Sequence, residues 1–188
     1  MPCCGPTPVK SNDSKSSTAV LVFYGSQTGT AEAYGKMLGT YAASHGFEPI
    51  VCSMNDAVDV VSEGKAKGAA AMIFVTSTYG TGEFPSNASA FYKELTAGKL
   101  DKHIAATPYA ILGLGNSKNE QYNAAAKKLD AAFNSKGLKS ILPMQLSCEL
   151  QANGHDAVFR TWKRSVWAAL GCSAVGTLGS TYAVEKAT

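Results

Sequence analysis

Residues 18–32 read TAVLVFYGSQTGTAE. The first seven are apolar or β-branched, and the run stops at Gly25. A short continuous run of this kind is the pattern of a strand buried on both faces. A turn rich in hydroxyls and glycine follows, and residues 30–44 then take a helical period. That period places Ala33, Met37, Leu38 and Tyr41 on one face, with Gly46 as the stop.

The same unit recurs outward along the chain. Strands are predicted over 47–53, 69–76, 109–114 and 138–146. Helices are predicted over 56–67, 87–95, 120–135 and 155–170. The helix over 120–135 is closed by Gly137, and the last helix sets Val158, Trp162, Val166 and Ala169 along one face. Apolar strands alternating with helices imply a parallel sheet covered on both sides, an α/β fold. Right-handed crossovers and five strands fit a doubly wound sheet of order 2-1-3-4-5 with helices on both faces. Residues 1–17, rich in Pro, Ser, Lys and Asn, are expected to be a disordered leader. Residues 18–170 form the expected domain, and 171–188 a tail or the start of a linker.

Composition narrows the function. The chain has 188 residues, 45% hydrophobic and 16% charged, which suits one soluble domain of roughly 100–200 residues. No apolar run approaches the about 20 residues that cross a bilayer, and no signal-peptide pattern is present. The five cysteines include no C-x-x-C pair, so neither a disulfide framework nor a zinc site is expected, and a reducing cytoplasm is. The three histidines stand far apart, against a metal centre. The net charge of +3 comes with lysines scattered along the chain rather than gathered in a strip, so no nucleic-acid partner is expected.

Sheets of this type bind ligands where loops leave the carboxyl ends of the strands. Three such loops stand out. The first is Gly25, Ser26, Gln27, Thr28, Gly29 and Thr30, leading into Ala31. It matches neither the Walker loop nor the G-x-G-x-x-G dinucleotide fingerprint. It does place hydroxyls and backbone N–H groups at a helix start, an anion cradle. No Lys or Arg lies between Gly25 and Gly35, so a phosphate there is held by neutral donors. Hydrogen bonds to a charged group are worth roughly 1.5–3 kcal/mol each, enough if several are made. The plainer reading is a Ser/Thr-rich N-cap.

The second loop runs from Thr76 through Ser77, Thr78, Tyr79 and Gly80 to Asn87. Its glycines bracket a turn that presents Tyr79, able to stack on a flat heterocycle for roughly 0.5–1.5 kcal/mol beyond area burial. Gly80, without a Cβ, lets its peptide turn over freely. The third loop follows strand four: Leu114, Gly115, Asn116, then Asn119, Tyr122 and Asn123. Each of these two loops alone is also an ordinary polar turn.

Together the motifs YGSQTGTAE at 24–32, TYGTGEFPSNA at 78–88 and GLGN at 113–116 resemble the FMN domain of the diflavin reductases, the group of NADPH–cytochrome P450 reductase, sulfite reductase and nitric oxide synthase. The resemblance runs from about Ala19 to Leu170 and includes Phe159, Trp162 and Trp167 in the last helix. It implies a flavodoxin-like fold with FMN as cofactor. Ser26, Gln27, Thr28, Gly29, Thr30 and Ala31 would hold the phosphate. Ser77, Thr78, Tyr79 and Gly80 would form one wall, with Tyr79 on the isoalloxazine. Leu114, Gly115, Asn116, Asn119, Tyr122 and Asn123 would form the other. The carbonyl of Gly80 would accept a hydrogen bond from the reduced flavin. The partners implied are a FAD- and NADPH-binding reductase domain, in the same or a separate chain, and a redox acceptor protein, a haem protein among the candidates.

Two departures stand out. Asn119 occupies the position of a second stacking aromatic. The acidic loop after strand five is reduced to one acid, Glu149, which completes the predicted site. The alternatives are a flavodoxin-like interaction module with weak or lost FMN binding and a flavodoxin-like quinone reductase. Adjacent Cys3 and Cys4 form a candidate S-acylation site, which would allow membrane association, against the alternative of two unmodified thiols.

Overall fold

The computed structural model describes residues 18–172. The expected leader, the acylation candidates Cys3 and Cys4, and nearly all of the expected tail lie outside the described residues. Five parallel strands form one sheet in the order β2-β1-β3-β4-β5. The strands are β1 (Ala19–Gly25), β2 (Glu48–Ser53), β3 (Ala71–Ser77), β4 (Tyr109–Gly115) and β5 (Gln145–Cys148). The helices are α1 (Thr30–Ser44), α2 (Ala57–Ser62), α3 (Ser89–Thr96), α4 (Asp101–Ile104), α5 (Ala124–Ser135) and α6 (Asp156–Ala169).

Strand side chains alternate between faces, so each central strand serves two cores. Leu21, Phe23, Met72, Phe74, Tyr109 and Ile111 face the layer that contains α3 and α5. There Phe74 lies 5.4, 5.5 and 5.1 Å, ring centre to centre, from Phe23, Phe91 and Phe133. Val20, Val22, Ile73, Val75, Ala110 and Leu112 face α1 and α6 on the other side. This double burial is why the strands read as unbroken apolar runs.

The buried face of α1 is rotated from the expected one. Ala33 and Met37 are turned away from the core, Met37 exposed by 45%, while Tyr34, Gly35, Leu38 and Gly39 face inward. The cause is close approach to the sheet. A Cβ on Gly39 would stand 2.4 Å from Val51 Cγ2, and one on Gly35 would stand 3.2 Å from Tyr24 Cδ1. Two glycines one turn apart therefore outrank an apolar methionine for the inner face. In α6, Phe159 and Trp167 join the expected Trp162 and Val166 as buried residues, Val158 is half-buried against the same core, and the expected Ala169 is exposed.

Three predicted bounds also shift. The helix expected over 120–135 starts only at Ala124, because Asn123 holds the left-handed backbone at φ 54. The segment expected as a strand from 138 begins with a bridge between Ser140 and Tyr109, then leaves the sheet around Pro143, which has no N–H to give a ladder. β5 resumes at Gln145 opposite Leu112 and continues past the expected end at 146 to Cys148. α2 is shorter than expected, and the short α4 has no sequence signal of its own.

Candidate functional site

The exits of β1, β3, β4 and β5 surround a cleft of about 290 Å³ at the carboxyl edge of the sheet. From the first loop, Ser26, Gln27, Thr28, Thr30 and Ala31 line it. Gly29 does not line it; it makes the turn, at φ 94, and its carbonyl accepts the first helical bond of α1 from Ala33 N–H at 2.9 Å. No side chain caps this helix start, so the amides of its first turn keep their donors available where Thr30 and Ala31 line the cleft. The loop is held from behind. Ser26 N–H donates to Asn87 Oδ1 at 2.9 Å, and Gly29 N–H donates to Ser26 Oγ at 3.0 Å. Asn55 joins the same brace, donating to Ser86 O at 2.8 Å and accepting from Ala90 N–H at 2.9 Å. Asn55 stands alone in its stretch of sequence, with no motif to announce it.

From the second loop, Ser77, Thr78 and Tyr79 line the cleft. Tyr79 and Glu83 exchange backbone bonds, each 2.9 Å, and close a tight turn that holds the Tyr79 ring 55% exposed at the rim. Gly80 sits at the tip of that turn with φ 54 and does not itself line the cleft. Its carbonyl lies 3.4 Å from Asn119 Nδ2, which donates across from the third loop. The Glu83 carboxyl is held below its ordinary range by the Thr81 hydroxyl, which donates to it at 2.7 Å.

From the third loop, Leu114, Gly115, Asn116, Asn119, Tyr122 and Asn123 all line the cleft. Gly115 is required by close packing, since a Cβ there would stand 3.0 Å from Asn123 Oδ1 and 3.1 Å from Tyr122 Cδ2. Asn123 is fully buried. Its Nδ2 donates to Ser147 O at 3.2 Å, while its Oδ1 has no hydrogen-bond partner among the described residues. Glu149 lines the cleft from the exit of β5, and its carboxylate accepts from Asn116 Nδ2. Burial raises the Tyr122 hydroxyl above its ordinary value, with nearby Cys148 adding to the effect.

Two lining residues lay outside the sequence expectation, Gln121 and His155. Gln121 lies inside the third loop and was separable from its neighbours by no residue-type signal. His155 follows β5 after a short connection, and only the tertiary fold brings it back to the cleft. Among the lining residues there is no Lys or Arg, and Glu149 is the one fixed charge.

An open parallel sheet of order 2-1-3-4-5, with an uncapped helix start and an aromatic at the carboxyl edge, defines a doubly wound ligand-binding domain of the α/β class. The sequence profile of the flavodoxin family matches residues 22–162. The chain belongs to the flavodoxin family. It is 33% identical over 149 residues to NADPH-dependent diflavin oxidoreductase 1 of Xenopus laevis, covering 79% of this chain and 24% of that protein. It is 34% identical over 160 residues to an NADPH–cytochrome P450 reductase of Aspergillus oryzae, covering 80% of this chain and 23% of that one. The chain thus spans about a quarter of the length of the curated relatives it matches. A cysteine-to-alanine mutant of flavodoxin from Pseudomonas aeruginosa shares the fold, with a TM-score of 0.70 at 23% identity, covering 82% of this chain and all of that one.

Proposed function

We propose that this chain holds FMN in the cleft and passes electrons one at a time between a reductase module carrying FAD and NADPH and a redox acceptor protein. FMN is the cofactor of the family, and electron transfer its work. The observation that carries the proposal is the junction of an amide-rich, uncapped α1 start with the Tyr79 rim in one cleft. The residues present fit the group. The α1 amides with Ser26, Thr28 and Thr30 are donors for a phosphate, and the unpartnered Asn123 Oδ1 is an acceptor beside the second wall. FMN supplies one- and two-electron redox chemistry when bound, and the protein supplies placement and electrostatics. Here Ser26, Thr28 and the first turn of α1 bind the anionic end. Tyr79 and Tyr122 supply apolar ring surface, and the Asn119 bridge ties the two walls together at Gly80. With Tyr79 at an exposed rim, a ring edge beside it is accessible to another protein's redox centre, which suits transfer in a short-lived contact.

The test is stopped-flow reduction of the FMN-loaded chain by NADPH, with and without a separate FAD-containing reductase domain. Slow bleaching by NADPH alone and fast reduction once the reductase is added are expected. Rapid two-electron bleaching by NADPH alone would replace the carrier assignment with a quinone-reductase one. Failure of the purified chain to bind FMN would leave the interaction-module alternative.

A further inference from the structure

His155 is the one lining side chain of the cleft that can become cationic, and no motif assigns it a role. Its position follows from its neighbours. It directly precedes α6, and the next residue, Asp156, accepts a hydrogen bond from the Tyr34 hydroxyl of α1. The Tyr34 ring stacks on Phe159 of α6 at 4.1 Å between centres. Tyr34 lies one helical turn beyond Thr30 and Ala31, so the start of α6 is tied to α1 one turn from two residues that line the same cleft as His155.

The hydrogen bonds around the ring decide its protonation pattern. His155 Nδ1 lies 2.8 Å from Ser147 Oγ. The same hydroxyl lies 3.1 Å from Gly113 O, which can only accept. With the Ser147 proton given to Gly113, Ser147 Oγ accepts from His155 Nδ1–H, the arrangement taken in the proposal below. Nε2 is left without a partner among the described residues. In the neutral ring it is an acceptor, and in the charged ring it is a donor.

We propose that protonated His155 is the cation of the phosphate cradle, donating Nε2–H to the phosphate of the bound flavin nucleotide, so that FMN and the imidazole proton bind cooperatively. The proposal rests on the FMN assignment above. The groups facing the ring oppose one another in the free protein. Burial disfavours the charge most, while Glu149 from the β5 exit and Asp156 from α6 favour it, and the imidazole is held below its ordinary value. From α1, Tyr34 keeps its proton, raised by burial and by Asp156, while Arg160 of α6 works the other way on it. A phosphate of about −1.5 to −2 charge placed against Nε2 tips that balance toward the imidazolium. Linkage is reciprocal, so the proton must tighten phosphate binding by the same factor.

The test is an NMR pH titration of 15N-labelled imidazoles, with the His155 resonance identified by its loss in H155Q. The chain is measured free, saturated with FMN and saturated with riboflavin. Flavin fluorescence quenching reports binding separately. Expected are the Nδ1–H tautomer in the free protein, a rise of at least one pH unit in the His155 midpoint with FMN, and little change with riboflavin. H155Q should weaken FMN binding several-fold at pH 6 while leaving riboflavin binding unchanged. An unmoved midpoint in the FMN-saturated chain overturns the proposal, and so does an equal rise with riboflavin. Absence of any fluorescence quenching overturns it together with the FMN assignment, and quenching with an unmoved midpoint overturns it alone.

Discussion

Replacing Tyr79 by alanine removes the aromatic of the second loop while leaving the core untouched. Its ring is 55% exposed, held at the rim by the tight backbone exchange with Glu83 and braced by no buried packing. Aromatic residues bury 150–250 Å² when covered, so about 110 Å² of Tyr79 is available, roughly half of it on one ring face. Covering that half at about 25 cal/mol per Å² contributes about 1.4 kcal/mol. Stacking adds roughly 0.5–1.5 kcal/mol, for a total of about 2–3 kcal/mol. At 1.4 kcal/mol per decade, Tyr79→Ala should weaken FMN binding by about 30- to 150-fold, with little change in the stability of the apoprotein. Tyr122 differs. It is half-buried, packed on Gly115 and covered by the Lys127 ammonium at 5.5 Å, so Tyr122→Ala should cost stability more than FMN affinity. Flavin fluorescence titration of both variants, with urea denaturation of the apo forms, separates the effects. A larger loss of FMN affinity in Tyr122→Ala, or a loss under threefold in Tyr79→Ala, would refute the assignment of the principal wall.

FMN should bind far more tightly than riboflavin, because the α1 amides and their hydroxyl neighbours have no anion to meet in riboflavin; affinities within about tenfold by fluorescence titration would dismiss the cradle. Gly39→Ala should destabilise the chain by about 1–3 kcal/mol in urea denaturation, since its Cβ would stand 2.4 Å from Val51 Cγ2, while exposed Met37→Lys in the same helix should be nearly neutral. Equal losses would show that the helix does not lean on the sheet through its glycines. The Cys52 thiol is pushed up to about 11 by burial, with Asp56 adding to it. The folded state therefore keeps a proton that the unfolded state releases near 9, and this contribution is intact below pH 9 and is lost as pH rises toward 11. Cys52→Ala should flatten the fall in stability between about pH 8.5 and 10.5 in denaturant midpoints; an identical fall in both proteins would remove Cys52 as its source.

Much of this protein is legible one stretch at a time. β1, β3 and β4 are buried on both faces, so their apolar runs show in the sequence without any knowledge of neighbours. The three glycine-rich exits are visible for a related reason, since each marks the point where an apolar strand ends. The order 2-1-3-4-5 fits the alternation of strand and helix together with the handedness of crossovers. What tertiary structure decided is whatever depends on distance between elements. The inner face of α1 was set by how closely Gly35 and Gly39 approach Tyr24 and Val51, which helical periodicity cannot express. The course of β5 was set by the Tyr109 bridge and the interruption at Pro143, after which the strand resumes far enough along to deliver Glu149 to the cleft and Ser147 to His155. Asn55 and His155 acquire roles only through partners distant in sequence, Ser86 and Ala90 for the one, Ser147 and the α1–α6 contact for the other. A local pattern reports what a residue is beside along the chain; a brace or a cationic contact depends on what folding brings beside it in space.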